Sequence, residues 1–201
     1  MKPIRDEFFI KIEKEREDSV KFNDTELYID TSYDAMRYAR QYGVVVETPH
    51  YLTDGRGNRK ENIDVEVGDT VYCHHFLVEE NNKINLKGVE NTYKLPYNMI
   101  YARKRGEELK MLVDWNFVEP IMEGDDEVET DSGILISSNK KEVKNRGRLV
   151  HINEEMKSYG AKEGDVVVFT KNSDYKMKVE GEELMRMKNI DIMCVLENVE
   201  G

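Results

Sequence analysis

The chain has 201 residues, of which 39% are hydrophobic and 35% charged, with a formal net charge of −11. That length suits one large domain or two of about 100 residues, each able to bury a modest core. The charge makes nucleic acid and anionic membrane poor partners, because both repel an acidic surface. No apolar run approaches the ~20 residues of a membrane-spanning helix.

The N-terminus, "MKPIRDEFFIKIEKE", breaks every apolar stretch with charge, so no secretion signal is expected. From there, β-type runs dominate. "EFFIKIE" (7–13), "GVVVE" (43–47), "DTVYCHHFLV" (69–78) and "NMIYAR" (98–103) read as strands. "NFVEPI" (116–121), "GILIS", "RGRLVHI", "DVVVFT" (165–170) and "DIMCVLE" (191–197) read the same way. One helical patch is predicted at "YDAMRYARQYG", with Asp34 in its first turn and Gly43 as its stop. Cys73 and Cys194 lie far apart inside strand-like runs, so a disulfide framework is not expected and a reduced, cytoplasmic compartment fits.

The runs repeat in order. Phe9 matches Phe117, Gly43 of "YGVVV" matches Gly147 of "RGRLV", Gly68 of "EVGDTVYC" matches Gly164 of "KEGDVVVF", and Asn98 matches Asp191. In the "GD" pairs, Gly takes a turn conformation other residues resist and Asp bonds back to the local backbone, so a strand starts at once. The pattern predicts an all-β protein of two tandem domains, 1–104 and 112–201, joined by a charged linker at 105–111.

The ordered elements of the second copy resemble the GroES family of small co-chaperonins across most of residues 112–199. The residues that carry the resemblance are "NFVEPIMEGDDEVETDSGILISSNKKEVKNRGRLVHI" and "GAKEGDVVVFTKNSDYKMKVEGEELMRMKNIDIMCVLE". No single motif is specific; the ordered set is. The first copy looks like a divergent member. It keeps "KPIRDEFFIKIEKE", "YGVVVE", "VEVGDTVYC" and "YNMIYA", but has "NDTELYID" where the family carries a Gly-aliphatic run. The layout resembles the double-domain co-chaperonins of plastids, and the compact second copy is similar to phage-encoded members.

The resemblance implies two tandem GroES-like, partly open β-barrels and a polar loop whose aliphatic tip docks on a GroEL-type chaperonin. It places that role on Gly133, Ile134, Leu135 and Ile136, and in the first copy on Leu27, Tyr28 and Ile29. It implies a homo-oligomeric ring of a size the sequence leaves open, non-native substrate proteins in the chamber, and ATP bound by the partner. It implies no active site and no cofactor of the chain's own. It also implies a roof hairpin in the first copy, from "TPHYLTDGRGNRKENID", that the shorter "NEEMKSYGAK" of the second copy lacks. The competing readings are a barrel domain of an alcohol dehydrogenase, which lacks its nucleotide-binding half here, and a β-rich structural or adaptor assembly protein with no chaperonin partner.

Other constellations are read as structural. Adjacent strand residues point to opposite faces, so of Cys73, His74 and His75 only the first and last would share one. No second ligand pair sits at metal-binding spacing. "DGRGNR" reads as a turn and not as a phosphate loop. Trp115 reads as a packing residue.

Overall fold

The computed structural model describes residues 2–16, 19–22, 25–28, 39–54, 56–60, 62–124, 128–129, 135–136 and 140–196. The chain divides into two compact units, Met1–Val113 and Asp114–Gly201. In the first are β1 (Glu7–Lys11), β2 (Ser19–Phe22), β3 (Thr25–Tyr28), β4 (Tyr42–Glu47), β5 (Leu52–Thr53), β6 (Arg59–Lys60), β7 (Thr70–Cys73), β8 (Lys83–Leu86), β9 (Val89–Pro96), β10 (Ile100–Arg105) and β11 (Glu108–Met111). In the second are β12 (Trp115–Glu123), β13 (Val128–Glu129), β14 (Leu135–Ile136), β15 (Lys141–His151), α1 (Glu154–Ser158), β16 (Val166–Phe169), β17 (Tyr175–Val179), β18 (Glu182–Lys188) and β19 (Ile192–Leu196).

The two main sheets are antiparallel and share one topology. The first runs β11-β10-β7-β4-β1-β9-β8, and the second, read in the same direction, runs β19-β16-β15-β12-β18-β17. Among the described strands of the two main sheets, only β11 has no counterpart. The likeness reaches individual atoms. In both, a register shift follows the matched phenylalanine: Phe9 faces Glu47 but Ile10 faces Val45, and Phe117 faces His151 but Val118 faces Leu149. In both, the "GD" turn closes the same way. Gly68 N–H donates to Val45 O (2.9 Å) and Gly164 N–H to Leu149 O (2.7 Å). Asp69 Oδ2 accepts from Glu66 N–H, and Asp165 Oδ2 from Lys162 N–H, each at 2.8 Å. Gly68 and Gly164 adopt φ of 96° and 94°, which a side chain would resist. The last turn matches one residue away from the sequence pairing: Met99 O accepts from His74 N–H, as Asp191 O does from Thr170 N–H.

Each sheet surrounds its own core. Phe8, Ile10 and Ile12 alternate inward from β1 and meet Val45, Val71, Tyr93, Leu95 and Ile100. Because β1, β4, β7, β9 and β10 all feed one cluster, the sheet must curl around it. Val118, Leu149, Val167, Phe169, Met185 and Met187 do the same in the second unit. Each such fully buried side chain contributes ~1.5–3 kcal/mol.

Several expectations need correction. Gly43 ends no helix; it lies inside β4, and residues 33–38 of the predicted helical patch lie outside the described residues. The run 69–78 leaves the sheet after Cys73. His74 Nδ1 accepts from Phe76 N–H and starts a 3-10 turn over His75–Val78, so Cys73 and His75 share no strand face. Cys73 is buried, which pushes its thiol pKa up. The stretch 105–111 is not a free linker: β10 and β11 pair from Ala102↔Met111 to Arg105↔Glu108, turning at Gly106 (φ 59°). Where the first unit has the β5–β6 hairpin, the second has α1, capped by Asn153 Oδ1 accepting from Met156 N–H at 2.9 Å.

Gly43 and Gly147 have no room for a methyl group. A Cβ on Gly43 would lie 2.6 Å from Ile10 Cγ2 and 2.7 Å from Lys11 O; on Gly147, 2.4 Å from Val118 Cγ1 and 2.9 Å from Glu119 O. Gly43→Ala and Gly147→Ala are each expected to cost about 1–3 kcal/mol, as overpacking does. Urea unfolding measures this; an unchanged midpoint in either variant would contradict the close approach.

Candidate functional site

The segments singled out in the sequence occupy equivalent places. In each unit the chain leaves the first strand of the sheet, forms a small hairpin, and returns as the next strand. The hairpin of the first unit pairs β2 with β3, from Ser19↔Tyr28 to Phe22↔Thr25. That of the second pairs β13 with β14, Val128↔Ile136 and Glu129↔Leu135. Both are separate two-stranded ladders, outside the main sheets. Neither supplies an edge strand to its main sheet.

Leu135 and Ile136 therefore stand together in β14, and Leu27 and Tyr28 together in β3. Tyr28 is 78% exposed. Gly133, Ile134 and Ile29 lie outside the described residues. The opposite limbs, Ser19–Phe22 and Val128–Glu129, were not singled out in the sequence: "SVKF" alternates over only four residues, and Val128 stands alone among acidic neighbours.

The roots were not singled out either. At the first hairpin, Arg16 bridges to Ala39, and Arg40 N–H donates to Glu15 O at 3.0 Å. The Glu15 carboxylate accepts a hydrogen bond from the hydroxyl of buried Tyr93, and another from Lys83 Nζ at 2.9 Å. Tyr93 donation, then Lys83, holds the Glu15 carboxyl below its ordinary pKa. Burial and the bond to Glu15 push the Tyr93 hydroxyl up to about 12. At the second hairpin, β12 and β15 stay paired to Met122↔Glu142 and Glu123↔Lys141. Lys176 Nζ donates to Glu142 at 2.6 Å, which raises the lysine pKa. Each root is thus fastened to the neighbouring hairpin, β8–β9 or β17–β18, by a lysine–glutamate contact.

Among the described residues, no group of three or more His, Cys, Asp and Glu is placed to hold a metal ion. No helix among them is long and apolar enough to cross a membrane.

Residues 108–196 match the family model described as Chaperonin 10 Kd subunit. The chain is 36% identical over 80 residues to co-chaperonin GroES of Acidithiobacillus ferrooxidans, covering 36% of this chain and 83% of that protein. It is 32% identical over 98 residues to co-chaperonin GroES of Aquifex aeolicus, covering 45% and 79%. It is 35% identical over 80 residues to co-chaperonin GroES of Legionella pneumophila, covering 36% and 83%.

The Glu15 carboxyl is held below its ordinary pKa, first by Tyr93 and then by Lys83. A depressed carboxylate stabilises the fold above its unfolded pKa, and that contribution is lost as pH falls through the folded value. Tyr93→Phe is expected to move the Glu15 titration, followed by carboxyl NMR, up toward the unperturbed value. The stability gap between wild type and variant should close in acid. An unmoved titration would mean that Tyr93 does not hold this carboxylate.

Proposed function

The chain belongs to the chaperonin 10 family of GroES co-chaperonins, and on that premise we propose that it caps a GroEL-type chaperonin and assists ATP-dependent folding through its two loop hairpins. ATP is bound by the partner, and non-native proteins are enclosed beneath the cap. The observation that carries this reading is the pair of hairpins set outside the main sheets at the same point of each unit. One of them lies within the stretch that matches the family model. A ladder of two residue pairs is marginal by itself. Docking into a groove would supply burial that the hairpin lacks, at an entropic cost that keeps each contact weak and reversible. Several copies acting together turn weak contacts into avidity. Gly133, Ile134, Leu135 and Ile136 form the anchor of the second hairpin, and Leu27, Tyr28 and Ile29 that of the first.

We assign the first unit, too, to the GroES-like architecture, on the shared strand order and the shared turn bonds. The same repeat supports a ring. The family match begins at residue 108, before the second unit begins at 114, so β11 belongs to the second copy by sequence while pairing in the first sheet. Its counterpart ahead of β1 is the segment 2–5, and among the described residues β19 has no strand on its outer edge. Met193 is 69% exposed there, and Leu196 40%. Segment 2–5 of one copy would then pair with β19 of the next. Cys73 and Cys194 are unbridged, which suits a reducing cytoplasm.

Capture on a GroEL-type chaperonin, with ATP and after its removal, tests the docking role. Ile134→Asp/Leu135→Asp is expected to abolish ATP-dependent capture. Capture kept in that variant moves the anchor to Leu27, Tyr28 and Ile29. No capture of the folded wild type by any GroEL-type partner favours the assembly-protein reading. Met193→Glu/Leu196→Glu is expected to shift the sedimenting species to single chains, and an unchanged assembly would place the ring contact elsewhere.

A further inference from the structure

We propose that the β5–β6 hairpin of the first unit is a binding surface for acidic stretches of polypeptide. On the capping reading above, it selects the class of client that the chamber holds. The chain as a whole carries −11, yet this corner is cationic. Segment 2–5 runs beside the hairpin: Arg5 bridges to Tyr51, and His50 N–H donates to Ile4 O at 3.1 Å. Arg56, Arg59 and Lys60 are all exposed on the hairpin itself. Arg59 lies over the Tyr51 ring, 4.4 Å from its centroid, which steadies the guanidinium while leaving the residue exposed.

The two carboxylates of these segments are occupied locally. Asp6 accepts from Thr53 N–H and Thr53 Oγ1–H, both at 2.6 Å. Asp54 accepts from Arg56 N–H, Asn58 N–H and Asn58 Nδ2, each at 2.8 Å. Among the described residues, no carboxylate pairs with Arg56 or Lys60. Glu61, next along the chain, lies outside that set.

The fold does not need this tip. Of β5 and β6, only Leu52 enters the core, and the matching place in the second unit is filled by the short α1, whose charges nearly cancel. A feature that one copy carries and the other omits, with Arg56 and Lys60 turned to solvent, is explained by something outside the chain. An acidic peptide fits better than nucleic acid. A polyphosphate needs many simultaneous contacts to overcome repulsion from an acidic protein, whereas an acidic peptide segment can match a few guanidinium forks.

The test is fluorescence anisotropy of a labelled poly-glutamate peptide with the full chain. Wild type should bind, with affinity falling as salt rises. Arg56→Glu/Arg59→Glu/Lys60→Glu should weaken binding on the order of tenfold or more, and Arg56→Lys/Arg59→Lys should keep it. Arg56→Glu alone, at an exposed tip, gives a smaller loss of the same sign. ATP-dependent capture on the chaperonin, which reads the loops and not this hairpin, stays intact in the triple variant. The proposal is overturned if the triple variant binds poly-glutamate as wild type does, or if oligothymidylate binds more tightly than the peptide.

Discussion

The shape of each unit depends on one close approach of backbone to backbone. Gly43 and Gly147 sit where the second strand of the sheet crosses the first, and each faces a carbonyl and a buried aliphatic chain with no space for a Cβ. Close by, the register slips by one residue in both units, between Phe9 and Ile10 and between Phe117 and Val118. A bulge raises the local twist, and a bare glycine lets the strands close on the inside of the bend. The curl that results is what lets strands from opposite ends of the sheet order share a core. It also sets the two loop roots, since each hairpin leaves the first strand and returns into the second beside this crossing.

Beyond that crossing, the units agree wherever the sheet must close and differ wherever it need not. The segment after β4 or β15 is a hairpin in one unit and a helical turn in the other. Both are pinned to the start of the first strand by buried or half-buried polar groups, but the chemistry differs. In the first unit Asp6 takes two bonds from Thr53. In the second an amide cluster does the work: Asn153 N–H donates to Asn116 Oδ1, Asn153 Nδ2 to Trp115 O, and Asn116 Nδ2 to Asn189 Oδ1. Buried amides must be bonded to be tolerated, so the cluster fixes α1 in place. Trp115, above Lys188 at 4.8 Å and Arg186 at 5.4 Å, is a packing residue, as expected from its setting.

How legible this was depended on where each element hides its apolar side chains. Strands such as β4, β7, β16 and β10 carry β-branched or aromatic runs, and their positions and repeat could be read directly. The hairpins β8–β9 and β17–β18 were not singled out as strands. "KINL", "YKMKV" and "EELMRMK" alternate charge with single apolar residues, and the turns at Gly88 and Gly181 look like any polar loop. The helix α1, five residues long, lacks a readable period, and its one signal was the cap at Asn153. His74 and His75 were placed in a strand because the apolar run continues through them; the cap at His74 overrode it. In the loops the sequence shows apolar residues with polar flanks, and Leu27, Tyr28, Leu135 and Ile136 fall in the two small hairpins. Their roots were not legible, since Glu15 and Tyr93 are distant in sequence and meet only once the sheet has curled.

The unequal strand inventory of the two sheets has its own consequence. In β10, covered on its outer edge by β11, Ile100 through Arg103 are all buried. In β19, at the same place in the second sheet, Met193, Cys194 and Leu196 are exposed. The two strands differ less in sequence than in what covers them. By sequence β11 opens the second copy, so the tandem arrangement makes one strand pairing a folding event within a single chain. Tethering raises the effective concentration of such a pairing far above that of free copies, and it removes one exposed edge that would otherwise seek a partner.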